Sequence, residues 1–87
     1  MLTWEIYVVL VEANTDENRG DLEVALADYS VELCATAHPE LCAAFRIPAE
    51  SAGHAALEAE RLIADKFDSR VVAIEVAAAG YGLANEL

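Results

Sequence analysis

The fold of this chain is limited first by the run from Thr3 to Glu12, ten residues of which seven, Trp4, Ile6, Tyr7, Val8, Val9, Leu10 and Val11, are apolar or aromatic. β-branched and aromatic side chains at this density favour extended backbone, and apolar residues of both parities describe a strand buried on much of both faces. Such a strand cannot be stable alone. It needs neighbours to pair with and layers to cover it, so the rest of the chain must supply more strands and at least one packed helix.

The remaining segments meet that need. Residues 13–20 are polar turn formers and are expected to form a loop. From Asp21, the positions Leu22, Ala25, Leu26 and Tyr29 fall at helical spacing, giving a first helix. Val31 to Ala37 is expected as a second strand and Leu41 to Ile47 as a third, joined by a three-residue loop at His38, Pro39 and Glu40. That loop pairs Leu33 with Phe45 and Val31 with Ile47, and it sets Glu32 opposite Arg46 as a cross-strand ion pair. Pro48 is expected to end the third strand. Ser51 suits the N-cap of a helix from Ala52 to Phe67, whose apolar stripe is Ala52, Ala55, Ala56, Ala59, Leu62, Ile63 and Phe67. After a turn at residues 68–70, Val71 to Val76 reads as the last strand. Residues 78–87 read as an Ala/Gly-rich tail following one α+β domain over residues 1–77.

The order βαββαβ resembles the ferredoxin-like pattern. That resemblance covers residues 3–76 by element order alone, with no diagnostic motif, and implies a four-stranded antiparallel sheet ordered 4-1-3-2 with both helices on one face. Fold alone does not fix function.

With the helices on one side, alternation leaves Glu5, Tyr7, Val9 and Val11 on the other side of the first strand. The hairpin adds Glu32, Cys34, Thr36, Cys42, Ala44 and Arg46, and the last strand adds Val71, Ala73 and Glu75. The uncovered face is therefore expected to be apolar at its centre, with Tyr7, Val9, Val11, Ala44, Val71 and Ala73 as interface residues. Apolar patches of this kind mark interfaces. Burying about 400 Å² of one would contribute on the order of 10 kcal/mol before the costs of association. A homodimer through this face is the leading expectation, and coverage by the tail through Tyr81 and Leu83 is the alternative.

Charge narrows the partner. The chain carries 16 acidic and 5 basic residues among 87, a formal charge of -11. Residues 1–40 hold -8 of it. Five scattered Lys and Arg give no phosphate-binding stripe, so nucleic acid is not an expected direct partner. Glu12, Asp16, Glu17, Asp21, Glu23 and Asp28 are expected to form an acidic surface suited to a basic protein partner. Solubility alone is a competing explanation for the same acids. With 56% hydrophobic residues, the composition is that of a folding chain.

Motifs for chemistry are weak. Cys34, Cys42, His38 and His54 contain no Cys-x2-Cys or His-x3-His pair, so no metal is expected. In the register above, the cysteines are diagonal neighbours. A Cys–His nucleophile would lack a strained elbow and an oxyanion loop. The run Asn14 to Gly20 places its glycine wrongly for a calcium loop, and no phosphate-cradling glycine motif is present, so no cofactor is expected. Two cysteines and no signal-like segment suit the cytoplasm.

Three functions emerge. The first is a non-enzymatic interaction module, in its sharpest form an inhibitor occupying a partner's nucleic-acid-binding surface, as phage-encoded anti-defence proteins do. The second is a dimeric regulatory module binding a small molecule. An enzyme built on Tyr7, Cys34 and Arg46 is a distant third.

Overall fold

The computed structural model describes residues 2–78. In chain order these form β1 (Leu2–Ala13), α1 (Asp16–Ala25), a 3-10 turn at Ala27–Tyr29, β2 (Glu32–Leu33), β3 (Glu40–Ala49), α2 (Ala52–Phe67) and β4 (Val71–Ala78). The strands make one four-stranded antiparallel sheet in the order β2-β3-β1-β4, which is the order expected.

Even-numbered residues of β1 and odd-numbered residues of β3 face the helices. Ile6, Val8 and Leu10 join Leu41, Ala43, Phe45, Ile47 and Ala49 in one buried cluster with Leu22, Leu26, Ala55, Ala59 and Ile63. This cluster is the core, and both helices contribute to it. Small Ala55 and Ala59 let α2 approach the sheet closely, while Leu62 and Phe67 pack at its margin. Ser51 caps α2 as expected, its hydroxyl accepting from the His54 N–H at 3.2 Å. Asp68 closes the helix in the left-handed conformation at φ 55°. No polar residue among those described is buried.

Four expectations are corrected. First, α1 begins at Asp16 rather than Asp21, because Thr15 is an N-cap whose hydroxyl accepts from the Asn18 N–H at 3.1 Å. Asp16 and Glu17 then sit at the positive end of the helix dipole. The stripe from Leu22 to Tyr29 is real, but it finishes in the 3-10 turn, closed by Ser30 at φ 56°.

Second, β2 is two residues long and pairs two residues out of the expected register, with Glu32 opposite Ala44 and Leu33 opposite Ala43. Glu32 therefore does not meet Arg46, which instead lies across from Glu5 at 3.8 Å. A slip of two preserves the pleat, so each side chain keeps its face. The cause lies outside the hairpin. Asn14 Nδ2 donates to the carbonyls of Ala35, Thr36 and His38 at 3.0, 3.5 and 2.8 Å, and Arg19 donates to the Cys34 carbonyl at 2.6 Å. These bonds hold residues 34–38 as a loop rather than a strand.

Third, β4 carries a bulge: Val9 pairs with Ala73, but Leu10 pairs with Val71. One extra residue reverses the alternation. Val71 thus packs against the core instead of lining the open face, and Val72 is 55% exposed.

Fourth, β3 runs through Pro48 to Ala49. Beside Pro48 the short β2 has already ended, so a residue lacking an N–H fits there. Tyr81 and Leu83 lie outside the described residues.

Candidate functional site: the open sheet face and its cysteine edge

The pairing orders the uncovered face into rows. One row crosses the sheet as Cys34, Cys42, Val9 and Ala73, the first two joined by the Cys34 N–H donating to the Cys42 carbonyl at 3.0 Å. The next is Glu32, Ala44, Tyr7 and Glu75. A third holds Arg46, Glu5 and Ala77. Polarity is graded along the strands, from apolar at the cysteine end to charged at the other. Of the six expected interface residues, Tyr7, Val9, Ala44 and Ala73 share this face. Val11 is 47% exposed beyond an irregularity in β1, and Val71 is on the helix side.

Tyr7 is the centrepiece. It is 37% exposed, and its hydroxyl interacts with the Cys42 thiol. That interaction, followed by desolvation and by the charges of Cys42, Cys34 and Glu75, pushes the phenol up to about 12. The Cys42 thiol is also raised, by burial first and then by Cys34, with Tyr7 opposing. Around Tyr7 a hollow of about 590 Å³ is lined by Glu5, Ala44, Glu75, Val76 and Ala77. Two acidic residues, Glu5 and Glu75, thus line the hollow beside the Tyr7 ring, Glu5 also lying 3.8 Å from Arg46.

The six acidic candidates do not form one surface. Asp16 and Glu23 line a groove with Arg19, Val31, Glu32 and Leu33, whereas Asp21 borders a different one with Val24, Lys66 and Phe67. Glu17 and Asp28 are exposed, and Glu12 accepts a hydrogen bond from the Ser69 hydroxyl. Glu32 lines both the Asp16 groove and a shallow depression with Glu5, Ala44 and Arg46. The negative field thus runs from the Tyr7 hollow around the β2 edge to one flank of α1.

At the apolar end the structure assembles a group that spacing motifs do not flag. Cys34, His38 and Cys42 place a ligand atom each within 4.8 Å of one another. His54 stands apart as an exposed residue in the first turn of α2. The signal in the sequence is the symmetric Cys34-x3-His38-x3-Cys42, which reads as hairpin geometry once Cys34 lies opposite Cys42. Asn14 and Arg19, which fix this loop, were equally hidden in a segment that reads as a solvated turn. Arg19 also donates to Asn14 Oδ1 at 3.1 Å, so the two act together.

Comparison with protein families, curated proteins and solved structures gives no match. Among the described residues, no helix is long and apolar enough to cross a membrane.

Proposed function

We propose that this chain is a non-enzymatic protein-binding module of ferredoxin-like topology, whose open sheet face receives a basic segment of a protein partner. The element order and the strand order β2-β3-β1-β4 support the topology. The observation that carries the function is the Tyr7 hollow, lined by Glu5 and Glu75, where a partner's Lys or Arg side chain would sit over the ring. Cys42, Val9 and Ala73 next to it provide apolar contact for the rest of the segment.

The same charges favour a different partner over a second copy. Pairing two copies through this face would bring six carboxylates, those of Glu5, Glu32 and Glu75 from each copy, into one interface with Arg46 as the one base per copy, and like charges across an interface are costly. The acids continuing through Glu32 to Glu23 and Asp16 suit an extended basic surface, which supports the inhibitor form of the proposal, with carboxylates standing where nucleic-acid phosphates would lie.

A fluorescent arginine-rich peptide tests the reading by anisotropy. Tyr7→Ala and Glu75→Lys should each weaken binding about tenfold or more, and binding should fall steeply as salt rises. Unchanged affinity in both variants, or a loss confined to Asp21→Lys, would contradict it.

A further inference from the structure

We infer that Cys34, His38 and Cys42 form a binding site for one zinc ion at the β2–β3 hairpin, with the Glu40 carbonyl oxygen at the fourth corner. This site adjoins the Tyr7 hollow through Cys42, yet it rests on its own geometry and not on the partner reading.

The geometry is that of a loosely drawn tetrahedron. His38 Nδ1 lies 3.6 Å from Cys42 Sγ. The Glu40 carbonyl oxygen lies 3.0 Å from His38 Nδ1, 3.5 Å from Cys42 Sγ and 3.7 Å from Cys34 Sγ. Tetrahedral zinc with bonds of about 2.0–2.3 Å needs ligand separations of about 3.3–3.8 Å. Three of the four distances lie within that range, and the His38 Nδ1 to Glu40 oxygen distance of 3.0 Å is shorter. The remaining pairs of side-chain ligands, all within 4.8 Å, have at most about one ångström to close. The residues that must move, Cys34 and His38, are half-buried at the sheet edge, whereas Cys42 is buried and fixed by β3.

The donor set selects the metal. Two thiolates and an imidazole are soft to borderline ligands, suited to zinc and poor for calcium or magnesium, which take oxygen shells. Charge balances as well, because one divalent ion displaces one proton from each thiol and leaves the centre neutral. The charged and titratable groups around it are Tyr7 from β1, Glu40 from β3 and Arg19 from α1, the last bound to the Cys34 carbonyl.

The loop is held ready. Four successive bonds from Asn14 and Arg19 to the carbonyls of Cys34, Ala35, Thr36 and His38 fix the backbone that carries two of the three ligands. Support of this kind outside the ligand shell is what orients metal ligands. An irregularity in β1 between Val9 and Ala13 lies opposite the Cys42–Glu40 stretch, a place where bulges commonly re-aim side chains at sites.

Zinc chloride titrated into the full, reduced, metal-free chain against a chromophoric chelator tests the proposal, with cobalt(II) as the spectroscopic probe. One metal per chain, about two protons released, and a thiolate-to-cobalt charge-transfer band are expected. Cys34→Ser and His38→Gln should each lower zinc affinity at least about tenfold while far-UV circular dichroism stays that of the parent. Sub-stoichiometric uptake would overturn the proposal. So would equal affinity in both variants, equal affinity in the urea-unfolded chain, or a reduced chain that leaves all zinc with the chelator while air oxidation links Cys34 to Cys42.

Discussion

Cys34 stands directly across from Cys42, its N–H donating to the Cys42 carbonyl at 3.0 Å, although loop length alone would set the two on a diagonal. The two-residue difference comes from Asn14, a side chain twenty residues upstream of Cys34 that binds three carbonyls of the intervening loop. Asn14→Ala should therefore destabilise the fold by about 1 kcal/mol, because the His38 carbonyl loses its donor in a partly buried place while those of Ala35 and Thr36 are open to water. Hydrogen exchange should quicken over residues 34–42 and little elsewhere. Urea unfolding checks the first expectation, and a neutral result would mean that the hairpin holds its register without Asn14.

The bulge in β4 makes opposite claims about two adjacent valines. Val71 packs on the core and Val72 is exposed. Val71→Asp should cost about 2 kcal/mol or more, whereas Val72→Asp should fall within about 0.5 kcal/mol of the parent. Paired denaturation curves decide it, and the reverse ranking would restore simple alternation.

Helix α2 carries three core residues and depends on its cap. Ser51→Ala should cost about 1 kcal/mol by removing the acceptor for the His54 N–H. Phe45→Ala, which empties the largest buried side chain in the core, should cost about 3–5 kcal/mol. Thermal unfolding of both variants should preserve that ranking.

Tyr7 offers a titration. Its phenol is raised from 10.0 to about 12, with the interaction with Cys42 as the leading cause. A phenol whose folded-state value lies above the unfolded one contributes stability in full below about pH 10, and loses it as pH climbs towards 12. Cys42→Ala should bring the Tyr7 transition back towards 10, read by ultraviolet absorbance at alkaline pH. An unmoved transition would assign the shift to burial and neighbouring charge instead.

Local signals carried the elements whose determinants are local. The alternation in β1 and the stripe and Ser51 cap of α2 lie within single segments, and the observed elements follow them closely. The other elements were set by residues whose type reads as turn or whose partner is distant. Thr15 and Asn14 read as turn formers, yet one starts α1 five residues early and the other shortens β2 to two residues. The bulge at Val72 had no mark, since Val71, Val72 and Ala73 are interchangeable to an alternation rule. At the candidate sites, strand parity placed Tyr7, Val9, Ala44 and Ala73 on one face because the β1–β3 and β1–β4 registers are regular across them, and the two-residue slip of β2 leaves the parity of Glu32 intact. The Cys34, His38 and Cys42 cluster depends on the register itself, and so escaped.

If the face around Tyr7 receives a basic segment, that segment must perturb the Tyr7 row on binding. Nitrogen-15 correlation spectra of the labelled chain titrated with an arginine-rich peptide test it most directly. Saturable shifts should concentrate at Glu5, Tyr7, Ala44 and Glu75, with the chain tumbling as a 9.3 kDa monomer beforehand. Shifts spread over the outer side of α1 with the Tyr7 row unmoved, or a free chain already paired through that row, would contradict it.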